Sequence, residues 1–90
     1  MKRELKKLLQ PYVAETLKRN RKRLGLTQEK IAEKLHITPE SCSRIENGKQ
    51  MMSAVPFILL MLLSSEEELL YLFRGARACL YAVGYEEYKL

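Results

Sequence analysis

Residues 28–47 read QEKIAEKLHITPESCSRIEN, and the spacing of apolar side chains in this stretch decides the fold. Spacings of three or four positions lie on either side of residues 36–38, and the apolar residues of the stretch are Ile31, Ala32, Leu35, Ile37, Cys42 and Ile45. That spacing places side chains on one face of an α-helix, and it is interrupted at residues 36–38. The stretch therefore predicts two short helices joined by a turn of about three or four residues, which is a helix-turn-helix.

The residues that flank the two helices support this prediction. Thr27 precedes the first helix and Thr38 precedes the second, and a threonine hydroxyl at such a position caps free backbone N–H groups. Pro39 follows at the first position of the second helix, where the missing N–H of proline costs nothing. Ala32 lies where the two helices are expected to cross, because its small side chain allows a close approach.

The basic segment before this unit predicts another helix. Residues 11–24 carry apolar side chains at helical spacing, and Gly25 is expected to end the helix. Residues 2–9 also have a helical pattern, but Pro11 separates them from the main segment. Because proline bends or breaks a helix, the sequence leaves open whether residues 2–24 form one kinked helix or two.

Two helices are predicted after the helix-turn-helix. Ser53 precedes AVPFILLMLL, which is apolar on nearly every side and is therefore expected to lie at the centre of the core. Ser65 and Glu68 have the spacing of a capping box, which predicts a last helix over residues 65–83. No strand pattern is present, so residues 1–90 are expected to form one all-α domain of five helices.

The charge of the chain is uneven. Residues 1–49 carry 13 Lys and Arg against 6 Glu, and residues 50–90 carry 3 against 5, which together give the net charge of +5. The basic half contains the helix-turn-helix, and a basic surface suits a polyanion such as the backbone of DNA. Arg19, Lys22 and Arg23 are candidates for long-range attraction, although a solvated surface without a partner has the same composition.

The residues do not support several other function classes. Cys42 and Cys79 lie in apolar helical patterns, which predicts buried free thiols in a reducing cytoplasm. His36 is the only histidine, so no metal cluster is expected, and no catalytic set or glycine-rich phosphate loop is present. The apolar run 55–63 is too short to span a bilayer, and no signal peptide is evident. We expect a cytoplasmic protein with no enzyme activity and no cofactor.

The run TQEKIAEKLHITPESCSRIENGK, preceded by NRKRLGL, resembles the lambda-repressor-like helix-turn-helix family, of the Cro/repressor and xenobiotic-response-element type. The resemblance covers about residues 12–64 and leaves residues 65–83 as a possible dimerisation element. It implies a bacterial or phage protein, associated with the nucleoid, that binds double-stranded DNA sequence-specifically. The chain departs from the family pattern at His36, where a turn glycine is usual, and at Pro39, where a base-reading polar residue is common.

In this family the second helix of the motif is the recognition helix, which enters the major groove with its N-terminal residues toward base edges. The exposed positions here are expected to read bases, and they are Glu40, Ser41, Ser43 and Arg44. Arg44 is able to donate two hydrogen bonds to guanine O6 and N7, and Glu40 is able to accept one from cytosine N4. The alternative is that they are ordinary solvated residues, chiefly Glu40, whose charge is unfavourable beside phosphates.

The resemblance also implies contacts to the DNA backbone and one internal ion pair. Phosphate contacts are expected from residues around the two helices: Gln28, Thr27, Thr38, Asn47, Lys49 and Arg21. Arg21 is further expected to pair with Glu46 at the end of the recognition helix. The value of that pair would be to set the angle between two helices, because desolvation offsets much of the attraction.

One recognition helix reads few base pairs, so we expect a homodimer that binds a palindromic operator and acts as a repressor. Surplus apolar residues predict an interface through helices 4 and 5, formed by Leu69, Leu72, Phe73, Ala76 and Leu80. Two other functions stay open. The chain could be the antitoxin of a toxin–antitoxin pair, or a protein-interaction module that has lost base readout, which Pro39 and Glu40 favour.

Overall fold

The computed structural model describes residues 2–84, which form five α-helices: α1 (Lys2–Arg23), α2 (Gln28–Leu35), α3 (Pro39–Glu46), α4 (Ala54–Leu63) and α5 (Glu66–Ala82). No strand occurs among these residues. The expected all-α architecture of five helices is therefore confirmed. The question left open by Pro11 is also answered, because α1 runs through this proline as one helix.

The ends of α2 and α3 follow the local sequence signals. The hydroxyl of Thr27 accepts a hydrogen bond from the N–H of Lys30 at 3.2 Å, and that of Thr38 accepts one from Ser41 at 3.0 Å. His36 ends α2 with a φ of 59°, in the left-handed region that histidine tolerates better than most side chains. The chain can therefore turn sharply into α3 without the usual glycine.

The core lies between α1, α2, α3 and one side of α4, and Leu72 of α5 also belongs to it. Its largest fully buried apolar side chains are Leu17, Ile31, Leu35, Ile45 and Leu60. Ala32 and Cys42 are also completely buried, in agreement with a close crossing of α2 and α3. Because the apolar side of α3 is held in this core, its polar edge faces outward.

The expectation that α4 lies at the centre of the core is wrong. Only Pro56 and Leu60 of this helix are buried. Its other sides expose large apolar residues by 41–77%, and these are Val55, Ile58, Met61 and Leu62. A chain of this length buries only part of its surface, so a helix that is apolar all round has too few neighbours to cover it. The exposed side of α4 is the largest departure of the fold from the prediction.

An aromatic contact sets the position of α5 along α1. The ring of Tyr12 lies against the backbone of Gly75, where an added Cβ would overlap the ring. Tyr12 also packs on Tyr71, with ring centroids 5.6 Å apart, and the guanidinium of Arg19 lies 4.0 Å above the Tyr71 ring. A glycine in a helix interior is intrinsically unfavourable, so its place here is explained by this close approach.

A polar cluster fastens the turn between α4 and α5 to α1. The buried Asn20 donates to the hydroxyl of Ser64 at 2.9 Å, and Nε of Arg23 donates to the carboxylate of Glu68 at 2.9 Å. Glu68 and Ser65 also form the predicted capping box. The hydrogen bond from Ser65 is the main cause of a lowered pKa at Glu68, and the contact with Arg23 adds to it.

Candidate nucleic-acid interface

The outward edge of α3 carries the four residues expected to read bases. Glu40 and Arg44 are exposed, whereas Ser41 and Ser43 are half-buried at the sides of the helix. The intervening Cys42 is completely buried in the core. The structure thus arranges polar side chains on one side of α3 and anchors the helix by the other.

Arg44 makes two side-chain hydrogen bonds along this edge. Its Nε donates to Oε1 of Gln50 at 2.8 Å, and its Nη2 lies 3.4 Å from the Ser41 hydroxyl oxygen, a long hydrogen bond. Sequence reasoning missed Gln50, because this residue lies in the loop after α3, where no helical spacing connects it with Arg44. The only available signal was its closeness to the recognition helix along the chain.

Arg21 and Glu46 form a two-point ion pair between α1 and α3. Nε of Arg21 donates to Oε2 of Glu46 at 2.7 Å, and Nη2 donates to Oε1 at 3.1 Å. The Glu46 side chain is 3% exposed and that of Arg21 is 19% exposed. The hydrogen bonds with Glu46 are the main cause of a raised pKa at Arg21. The paired geometry restricts how α3 can tilt relative to α1.

The same carboxylate engages a second residue that was expected to contact phosphate. Nε2 of Gln28 donates to Oε1 of Glu46 at 3.1 Å. Nη1 of Arg21 donates to the carbonyl of Leu26 at 3.3 Å, so three of its five N–H groups have partners inside the protein. Arg21 and Gln28 therefore have fewer donors for a phosphate than an unpaired side chain would have.

Thr27 and Thr38 keep a donor although both act as helix caps. Each hydroxyl oxygen accepts from a backbone N–H, and accepting leaves the hydroxyl hydrogen available for donation. Both residues are exposed at the N-terminal ends of α2 and α3. A phosphate near either helix end would meet this hydroxyl together with the favourable end of the helix dipole.

Asn47 and Lys49 follow α3 and are both exposed. Lys18 of α1 lines a shallow groove together with Asn47 and Gly48, and the carboxylates of Glu15 and Glu46 line it as well. Lys18 was not among the predicted site residues, because a basic run on a helix does not reveal which lysine faces the neighbouring helix.

The positive charge is less evenly spread than the two halves of the chain suggested. Residues 2–23 carry 9 Lys and Arg against 2 Glu, whereas residues 24–49 carry 4 of each sign. The whole surplus of the basic half therefore lies on α1. Two of its arginines proposed for long-range attraction are engaged elsewhere, because Arg23 binds Glu68 and Arg19 stacks on Tyr71. Lys18 lines a groove with Glu46 at the end of α3.

The two cysteines are buried, and the side chains that could bind a metal ion are scattered over residues 2–84. Burial raises the pKa of Cys42 to about 11, and it also raises the pKa of Cys79. Within residues 2–84, no three His, Cys, Asp or Glu side chains lie close enough together to hold a metal ion. No helix in the same range has the length and apolar character needed to cross a membrane.

Comparison with known proteins gives one match. A family model described as helix-turn-helix matches residues 17–55. No curated protein and no solved structure matches the chain. The matched segment begins in the second half of α1 and ends at the start of α4, so it contains Arg21, Glu46 and both helices of the motif. The first half of α1 and the whole of α5 lie outside it.

Proposed function

We propose that α3 reads a specific sequence in duplex DNA, because residues 17–55 match a helix-turn-helix family of DNA-binding transcription regulators. The observation that carries this proposal is the two-sided character of α3. Its apolar side is completely buried, and its opposite edge presents polar side chains. A helix anchored in this way can enter the major groove without losing core contacts.

The base contacts are divided among side chains of different chemistry. Arg44 donates two hydrogen bonds to guanine O6 and N7, the commonest specific contact of arginine. Ser41 and Ser43 donate to or accept from neighbouring base edges or phosphates. Glu40 accepts from a cytosine amine where one is present, and elsewhere its charge disfavours close approach, which adds discrimination against wrong sequences.

The backbone contacts surround this edge. Asn47, Lys49 and Lys18 bind phosphates at one end of α3, and the hydroxyls of Thr27 and Thr38 bind them near the starts of the two helices. These contacts fix the register of α3 on the duplex but carry no sequence information themselves. The Arg21–Glu46 pair acts indirectly, because it holds α3 at the angle that these contacts require.

The salt dependence of binding tests this proposal. We expect the affinity for duplex DNA to fall steeply with salt, because each neutralised phosphate contributes a slope of about −0.9 in log K against log salt concentration. Lys49→Ala should reduce the slope by about that amount and leave the melting temperature unchanged. Lys7→Ala, at an exposed site near the N-terminus, is the matched control. Binding that does not depend on salt would contradict the proposal.

We further propose that the protein is a repressor that binds a palindromic operator as a homodimer. The exposed apolar side of α4 supports a partner, and Phe73 of α5 is 55% exposed. Of the residues expected at the interface, Leu72 lies in the core of the protomer itself. Leu69, Ala76 and Leu80 are only half-buried. The proposed interface is therefore centred on α4, and Phe73 is the residue of the expected α5 set that is exposed.

Sedimentation of three proteins tests the dimer. We expect a dimer for the wild type at micromolar concentration and a monomer for Leu62→Glu, which places a charge on the exposed side of α4. Leu8→Glu makes the same change on an exposed leucine of α1 and should remain dimeric. A wild-type monomer would contradict the homodimer and leave the apolar side of α4 to another protein.

A further inference from the structure

The loop after α3 is tied to the last turn of that helix. The N–H of Gly48 donates to the carbonyl of Ile45 at 3.0 Å, and the N–H of Lys49 donates to the carbonyl of Arg44 at 2.8 Å. These bonds fix the backbone immediately before Gln50, whose side chain is half-buried. Gln50 therefore meets Arg44 from a backbone that is already held in place.

The hydrogen bond from Arg44 to Gln50 determines which N–H groups of Arg44 remain available as donors. A guanidinium has five N–H groups, of which Nε–H is taken by Gln50 and one Nη2–H makes the long contact with Ser41. The remaining three N–H groups belong to the two terminal amines, and they have no partner among the described residues. Guanine presents two acceptors in the major groove, O6 and N7, so this pair of amines matches it.

We propose that Gln50 is a positioning residue that selects how Arg44 meets DNA. This proposal rests on the proposed function and deepens it, because it states how Arg44 is oriented toward guanine. By accepting from Nε, Gln50 leaves only the end-on approach through Nη1 and Nη2, and it removes in advance part of the rotamer freedom that a free arginine would lose on binding. Adenine is rejected because its N6 amine is a donor where guanine O6 is an acceptor.

A double-mutant cycle on DNA binding tests the positioning role. The probes are a duplex selected by the wild-type protein and the same duplex with adenine in place of the guanine whose preference depends on Arg44. We expect Gln50→Ala to reduce the preference for guanine about 3- to 10-fold, the loss that follows when one such side chain must be ordered on binding. In an Arg44→Ala background the same substitution should have no further effect.

The cycle separates the alternatives. An equal loss of affinity from Gln50→Ala in both backgrounds would overturn the proposal and show that Gln50 contacts DNA directly. An unchanged preference for guanine in Gln50→Ala would also overturn the proposal, because the bond from Arg44 to Gln50 would then have no effect on recognition. Gln50→Glu keeps an acceptor for Nε, so it should retain the preference while weakening binding to all duplexes, because it adds a negative charge near phosphates.

One measurement is independent of DNA. In the free protein we expect the Nε–H of Arg44 to exchange slowly with solvent by NMR, and to exchange faster in Gln50→Ala at an unchanged melting temperature. Equal exchange in both proteins would contradict the positioning role even if the wild type binds DNA specifically. Slow exchange in a protein that binds no duplex would instead overturn the proposed function and with it the assignment of guanine.

Discussion

Two arginines only two residues apart on α1 bind carboxylates in different parts of the molecule. Arg21 makes two hydrogen bonds to Glu46 inside the matched motif, and Arg23 makes one to Glu68, which lies outside it. The first carboxylate is 3% exposed and the second is 11% exposed. The same chemistry therefore joins different elements, because one pair holds α3 against α1 and the other attaches α5 to α1.

The contrast extends to the regions that the two pairs connect. The α2–α3 unit has both N-termini capped and its apolar side completely buried. In contrast, α5 contacts α1 through the Tyr12–Tyr71 pair, the close approach at Gly75 and the cluster around Arg23. Because α5 packs chiefly against a single helix, α1, it can open without separating α2 from α3. We therefore expect damage at α5 to remain local, whereas damage at the Arg21–Glu46 pair affects the whole domain.

The largest expected effect is that of Glu46→Ala. Removing one member of a buried ion pair leaves the other without a partner, and here Gln28 also loses its acceptor, so the free energy of unfolding should fall by about 4 kcal/mol. DNA binding should be lost as well, because the tilt of α3 is no longer fixed. Urea unfolding measures the loss of stability, with Lys49→Ala as a variant that weakens binding alone. Equal melting temperatures for the two variants would contradict the structural role of Glu46.

Gly75→Ala should have the next largest effect. The added methyl group overlaps the ring of Tyr12, and overpacking of this kind costs about 2 kcal/mol. Labelling of the two buried thiols reports where the damage is, and we expect Cys79 of α5 to react faster while Cys42 of α3 does not. The cost should shrink in a Tyr12→Ala background. A uniform increase at both thiols would mean that α5 and the motif unfold together.

The buried thiol of Cys42 in α3 predicts that the protein loses stability at alkaline pH. Burial raises the pKa of Cys42 from 9.0 to about 11, so between these pH values the unfolded chain releases a proton that the folded protein keeps. The free energy of unfolding should therefore fall as pH rises through this range, by about 1–2 kcal/mol from this residue. Urea unfolding at several pH values should give a flatter curve for Cys42→Ala. Parallel curves for the two proteins would show that the thiol is accessible to solvent.

Arg23→Ala should have the smallest effect. Arg23 is 39% exposed, and exposed ion pairs contribute little. We therefore expect the free energy of unfolding to fall by about 1 kcal/mol, which includes the hydrogen bonds of Arg23 to Asn20 and to the carbonyl of Leu63. The affinity for duplex DNA should not change, because α5 does not hold the outward edge of α3 in place. Titrations of Arg23→Ala and Arg21→Ala with the same duplex DNA compare the affinities of the two variants. A matching loss of affinity in both variants would remove the distinction between the two pairs.

Local signals in the sequence predicted the motif more completely than its surroundings. The caps at Thr27 and Thr38 depend on neighbouring residues, so the chain shows them directly. Apolar spacing, in contrast, reveals that a side of a helix is apolar but not which neighbour covers it, and for this reason the burial of α4 was predicted wrongly. The contact between Arg44 and Gln50 was missed for a related reason, since a loop residue has no periodicity that assigns it a partner.

Selection of binding sites from a random duplex pool tests most directly whether the outward edge of α3 reads DNA. We predict that the wild-type protein enriches a short motif with an invariant guanine, and that Arg44→Ala loses the preference at that position while it keeps the others. Failure to enrich any motif at low salt, or the same guanine preference with and without Arg44, would contradict this function.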